Sequence, residues 1–135
     1  MSEVREGGCL CGSVRYTAAW PPMMIATCSC KNCQRQAGSS VALLAVMPAD
    51  AVTVTGVMTS YEDTGESGGT VIRKFCGRCG SPIVSEIPAA PQMIIVKAGT
   101  LDNAKDLAPT LHYWTSSAHD WVQFPEGGVV LEKQA

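Results

Sequence analysis

Charge, long apolar runs and helical periodicity are all in short supply in this chain. Charged residues make up 16% of the 135 and balance to a net charge of −2. Such a chain has no broad attraction to phosphate backbones or anionic lipid, so neither nucleic acid nor a membrane is an expected partner. The longest apolar run, Val41 to Met47, is seven residues and ends at Pro48, whereas a membrane-crossing helix needs about 20. The opening MSEVREGG is charged and has no apolar stretch, unlike a secretory signal; the expectation is a cytoplasmic protein. No segment keeps an apolar 3.6-residue period over three turns, which speaks against a helical fold. Linkers, repeats and low-complexity segments are missing too. Residues 1–135 therefore read as one domain, long enough to bury about two-thirds of its unfolded surface.

Present instead are short β-rich runs punctuated by 13 glycines and 8 prolines. They are SVRYTA, MMIATC, VALLAVM, AVTVTG, TVIRKF, PIVSE, MIIVKAG and TLHYW, several of them rich in Val, Ile and Thr and all bounded by turn residues. The polar stretch DTGESGG, 63–69, reads as a hairpin connection longer than a tight turn. Only KNCQRQA, 31–37, followed by Gly38, reads as a short helix with a glycine stop. The expected fold is all-β, with cysteine clusters in its loops.

Seven cysteines are too many to leave unexplained. Their number is odd and no export signal precedes them, so metal thiolate chemistry is a better reading than a disulfide framework. Cys76-Gly-Arg-Cys79-Gly has the spacing of a zinc knuckle, with two residues between the sulfurs and glycines for the turn. Cys9-Leu-Cys11 has spacing two, which on an extended strand aims both sulfurs to one face and Leu10 to the core. Together these pairs make a four-thiolate set. That leaves Cys28, Cys30 and Cys33 in CSCKNC, one ligand short. The fourth place is either filled by His112 or His119, which closes a structural site, or is exchangeable. A different partition joins Cys30 and Cys33 to Cys76 and Cys79 as a zinc ribbon, although the 42 intervening residues exceed the usual spacing of about 15 to 20. Iron–sulfur ligation is a further option, but the spacing fits no common ferredoxin run.

GGCLCGSVRY, CSCKNCQRQAGSS, FCGRCGSPI and LHYW with the later FPEG together resemble the glutathione-dependent formaldehyde-activating enzyme family, also called the centromere protein V-like family, from about Gly7 to Glu126. The resemblance implies packed antiparallel sheets stapled by zinc, a β-tent, with two zinc ions per chain. It implies that Cys9, Cys11, Cys76 and Cys79 are structural ligands and that Cys28, Cys30 and Cys33 are catalytic ones. It implies a carbon–sulfur lyase acting on a thiol–aldehyde adduct, glutathione plus formaldehyde giving S-hydroxymethylglutathione, with the thiol completing the three-cysteine site. The chain departs from many relatives at Ser29, where they carry histidine, and at Gln34, where they carry a basic residue.

Three anionic sulfurs blunt a zinc ion's Lewis acidity, so the site suits thiol binding better than hydrolysis. Glutathione carries two carboxylates and calls for cations nearby. Lys31 and Arg35 flank the middle cluster and are the first candidates, with Lys74 and Lys97 behind them. Ser29, Asn32 and Ser39 offer hydrogen bonds to substrate or sulfur, or caps for the short helix. His112 is a candidate proton donor; Trp114 and Trp121 read as core or pocket wall. The competing reading is a non-enzymatic zinc β-module that binds a partner protein. A homo-oligomer stays open.

Overall fold

The computed structural model describes residues 3–134. In chain order the elements are β1 (Glu3–Gly8), β2 (Arg15–Trp20), β3 (Met24–Cys28), α1 (Lys31–Ala37), β4 (Ala42–Pro48), β5 (Val52–Thr55), β6 (Met58–Thr64), β7 (Thr70–Cys76), β8 (Pro82–Glu86), β9 (Met93–Lys97), β10 (Leu111–Tyr113) and β11 (Val129–Val130). All eight β-rich runs hold a strand. Three further strands carried no sequence signal: β1, β6 and β11.

The strands form two sheets, a small one in the order β1-β2-β5 and a large one in the order β11-β10-β3-β4-β9-β8-β7-β6. The fold is all-β as expected. Its ladders are antiparallel except at one side of the large sheet, where β10 runs parallel to both β3 and β11. The long connection from β9 back to β10 makes this possible, since parallel neighbours need a crossover rather than a hairpin. Segment 63–69 is the expected hairpin tip: Thr64 faces Thr70 across it, and Gly65 N–H donates to Gly69 O at 2.8 Å.

The main core lies between the sheets, with Val14, Tyr16 and Ala18 of the small-sheet side packed with Ala45, Met47, Ile83, Ile94 and Val96. Alternation along β4 and β9 sends Ala45, Met47, Ile94 and Val96 into that core and leaves Leu44, Val46, Ile95 and Lys97 on the opposite face. The second face is where the middle cysteines sit. Helix α1 starts at Cys30, whose Sγ accepts from Cys33 N–H, and stops at Gly38, which adopts φ 63° and donates its N–H to Gln34 O. That left-handed cap is easy for glycine and costly for most other residues. Among the described residues no helix is long and apolar enough to cross a membrane.

Candidate metal centres

Cys9, Cys11, Cys76 and Cys79 converge so that their sulfurs all lie within 4.8 Å of one another. Cys9 and Cys11 sulfurs are 3.6 Å apart, and Cys11 and Cys76 sulfurs 3.8 Å. Four sulfurs about 2.3 Å from one zinc ion stand about 3.8 Å from each other at the corners of a tetrahedron, so the spacing fits the ion. The backbone is arranged around the sulfurs. Val14 N–H donates to Cys9 Sγ at 3.2 Å, and Arg78 and Cys79 N–H groups point at Cys76 Sγ at 3.4 and 3.5 Å. Ser13 Oγ is 3.1 Å from Cys11 Sγ and 3.3 Å from Cys76 Sγ. Burial alone would raise the Cys9 thiol, but the Val14 and Ser13 hydrogen bonds outweigh it and bring it down to about 7; Ser81 brings Cys79 down to about 5. Such donors prepare thiolates, the form a metal takes.

One expectation fails here. Cys9-Leu-Cys11 lies just past the end of β1 in the turn leading to β2, closed by Gly12 N–H to Cys9 O, not on a strand. Leu10 is 88% exposed rather than in the core. The two sulfurs meet because the chain folds back, not because of strand alternation.

Cys28, Cys30 and Cys33 form the second group, all buried, their sulfurs again mutually within 4.8 Å. Cys28 ends β3, Cys30 caps α1 and Cys33 is in its first turn. The three thiols compete for ionisation. Hydrogen bonds from Cys28 and Cys30, helped by the charges of Lys97 and Arg73, pull Cys33 far down. Hydrogen bonding to Cys30 and Cys33 pushes Cys28 far up. Three thiolates can coexist at such distances only beside a cation, and soft sulfur donors suit zinc. No histidine joins either group among the described residues. His112 is 1% exposed, with Nδ1 2.7 Å from Thr27 Oγ1 and Nε2 without a partner. His119 Nε2 is 2.9 Å from Gln34 Oε1.

The ribbon partition is thereby set aside: the metal-competent groups join the outer pairs, and the middle three stand alone.

The three cysteines line a cleft of about 340 Å³ on the second face of the large sheet. Its floor is the alternate residues of adjacent strands: Met24 of β3, Leu44 and Val46 of β4, Met93, Ile95 and Lys97 of β9, Ser85 of β8, Arg73 of β7. The β6–β7 hairpin tip forms one wall through Gly65, Glu66, Ser67 and Gly69, and Tyr113 and Trp114 form another. Glu66 ties that tip to the helix by accepting from Lys31 N–H at 3.0 Å. Trp114 is a pocket wall as expected; it adopts φ 57° and its indole N–H donates to Gln134. Trp121, 71% exposed, is neither core nor wall.

The cations divide differently from their order in the sequence. Lys31 and Arg35 are exposed on α1 and do not line the cleft; Arg35 borders a separate depression with Tyr61 and Gln36. Lys74 pairs with Glu86 at 3.0 Å beside another cavity. Lys97 and Arg73 are both buried and both line the cleft. Arg73 donates to Asp63 at 2.9 Å, and its Nη1 is 3.9 Å from Cys33 Sγ. Asp63 also accepts from Asn32 of α1 at 3.1 Å. Burial lowers the Lys97 ammonium below its usual range while the nearby Cys33, Cys28 and Cys30 sulfurs oppose that shift. Sequence reading missed Arg73, Asp63 and Ser85; the only signal was a pair of charges inside the β-run TVIRKF. Ser29 is fully buried and does not line the cleft; its Oγ has no partner, and its carbonyl accepts from Gln34 Nε2 at 2.7 Å.

No curated protein matches the chain significantly. Among solved structures it is similar to a Rhodobacter sphaeroides protein known from a crystal structure. The two share 22% identity and a TM-score of 0.60, over 75% of this chain and 91% of that one, a likeness of fold. The sequence profile of the glutathione-dependent formaldehyde-activating enzymes matches residues 4–117, a span that takes in both cysteine groups and the strands from β1, less its first residue, to β10. The chain belongs to the glutathione-dependent formaldehyde-activating enzyme family.

Proposed function

We propose that this protein is a carbon–sulfur lyase that makes and breaks thiol–aldehyde adducts, with glutathione and formaldehyde as the pair and S-hydroxymethylglutathione as the adduct. The observation that carries the reading is the contrast between the two cysteine groups. One is a complete set of four at a turn. The other is a set of three that opens into a cleft and has no further protein ligand within reach among the described residues. On this reading Cys9, Cys11, Cys76 and Cys79 hold a structural zinc ion, and Cys28, Cys30 and Cys33 hold a catalytic one. A zinc ion held by three thiolates supplies one exchangeable position at which a thiol loses its proton.

The chain's own groups do the rest. Arg73 and Lys97 set a positive field at the three sulfurs, which favours the thiolate form of a thiol entering the cleft. The Asn32–Asp63–Arg73 network fixes Cys33 from two neighbouring strands. Met24, Leu44, Val46 and Ile95 make the rest of the floor apolar, which leaves few groups there to hold water beside the carbonyl carbon. The thiolate then adds to the aldehyde carbon, the C=O pair moves onto oxygen, and a proton from solvent completes the adduct; the reverse order of events cleaves it. Holding both reactants in one cleft supplies much of the acceleration. Lys31 and Arg35 stand at the helix surface for the carboxylates of glutathione.

Cobalt substitution tests the reading. The expected result is two metal ions per chain, a change in the visible spectrum of one on adding glutathione, and adduct formation from formaldehyde faster than in buffer. A single metal per chain, or a spectrum that ignores thiols, refutes it.

A further inference from the structure

Two polar side chains on the cleft floor are left over once the sulfurs have been accounted for. Lys97 is 7% exposed, lines the cleft and is paired with no carboxylate among the described residues. Ser85 is 2% exposed, lines the same cleft, and its Oγ has no hydrogen-bond partner. A buried hydroxyl without a partner is costly unless something else meets it, and a largely buried lysine with no carboxylate beside it offers a free donor in the same cleft. They sit on adjacent strands: Ser85 faces Ile95, and Lys97 is two residues further along β9, on the same face. Arg73, by contrast, is spoken for by Asp63, Gln36 and Cys33.

The position of this pair decides what it serves. Lys97 lines the same cleft as Cys28, Cys30 and Cys33, and it lies opposite Leu44, which packs in one buried cluster with all three. A carbonyl carbon attacked by sulfur carries its oxygen one bond away from the new C–S bond, so the group beside the sulfurs meets the oxygen of the adduct, not a distant carboxylate. We infer that Lys97 and Ser85 form an oxyanion site: both donate hydrogen bonds to the aldehyde oxygen as it becomes an alkoxide. When the C–S bond forms, the C=O π pair becomes the alkoxide's charge, held by the ammonium and the hydroxyl until water protonates it. In cleavage the hydroxyl proton leaves to water, the same two donors hold the alkoxide, and the carbonyl re-forms as the C–S pair returns to sulfur. The inference rests on the lyase reading above and adds two catalytic residues to it.

Lys97→Met keeps the stem and removes the charge; Lys97→Arg keeps the charge; Ser85→Ala removes the hydroxyl. Losing an oxyanion donor costs roughly 100-fold or more in rate. The expected result for Lys97→Met is a fall of that size in kcat/KM in both directions, with unchanged zinc content and unchanged thiol affinity in the cobalt spectrum. Ser85→Ala should likewise lose roughly 100-fold, and Lys97→Arg should recover part of the rate. A thermal melt confirms that each variant folds; if Lys97→Met does not, Ser85→Ala and Lys97→Arg decide between the same outcomes. If Lys97→Met loses the cleft zinc, or weakens thiol binding as much as rate, Lys97 serves the metal or the thiol and the inference is overturned. An unchanged rate in a thiol-binding protein overturns it alone. A wild-type protein that binds no thiol overturns the lyase reading, and this inference with it.

Discussion

Replacing Cys76 and Cys30 by serine, one at a time, separates the two metal centres by stability. Cys11 and Cys76 sulfurs lie 3.8 Å apart but 65 residues apart in the chain. A cross-link closing a loop of that length restricts the unfolded chain by about 4 kcal/mol. Cys76 is also 1% exposed within the main core, so a serine there puts a more polar group among buried apolar neighbours, about 1–2 kcal/mol more. The sum, about 5–6 kcal/mol, is a large part of the total expected for a domain of this size, about 7–20 kcal/mol. At Cys30 the cross-link spans only residues 28–33, worth about 2 kcal/mol on the same scale, and serine is itself a good helix N-cap. With about 4 °C per kcal/mol at this length, Cys76→Ser should melt about 20 °C or more below wild type and Cys30→Ser less than about 10 °C below it. Scanning calorimetry with metal analysis on the same samples measures both. Cys30→Ser should keep one zinc ion per chain and lose lyase activity. Equal melting-point losses would refute the division of roles.

A chelator at neutral pH should strip the cleft zinc first, leaving one ion per chain and an unchanged far-ultraviolet circular dichroism spectrum; simultaneous loss of both, or of the fold, counts against two unlike sites. Arg73→Met leaves the Asp63 carboxylate, 17% exposed, without its cation and should cost about 3 kcal/mol in urea unfolding, whereas adding Asp63→Leu should recover most of that loss. Burial holds the His112 pKa below its ordinary 6.5, so the folded state keeps it neutral while the unfolded chain takes up a proton. The stability this provides is complete above about pH 6.5 and drains away as pH falls through the lower folded value. His112→Gln should flatten the dependence of the urea midpoint between pH 7 and 5 relative to wild type, and a parallel pair of curves would show that His112 is not its source.

Much of this was legible because local chemistry and tertiary contacts agreed. KNCQRQA with Gly38 gave the helix to the residue, since cap and stop are local. The eight runs gave eight strands because each is a short apolar-rich run bounded by turn residues, a signal carried locally. β6 did not show itself because five of the seven residues of MTSYEDT are exposed, leaving no alternation to read, and β1 is likewise charged and glycine-rich, with three of its six residues exposed. The ligand grouping was legible from spacing, but the orientation of Leu10 was not, because CLC lies in a turn and strand parity does not apply. The cations were the hardest. Lys31 and Arg35 neighbour the sulfurs in sequence but ride outward on a helix, whereas Lys97 reaches them only through the register of Leu44 opposite Lys97, which nothing near CSCKNC encodes.

The difference in span between the two cysteine groups also has a consequence during synthesis. All the sulfurs of the cleft group have been made once residue 33 is added, so a metal ion could meet them while most of the sheet does not yet exist. The other group must wait for residue 79, another 46 residues on, or about 2–9 s at usual elongation rates. For that interval the nascent chain carries a complete three-sulfur ligand set while β8, β9 and β10, which supply Ser85, Lys97 and Tyr113 to the cleft, have yet to be made. A metal or an oxidant can therefore meet these sulfurs before the cleft has closed around them.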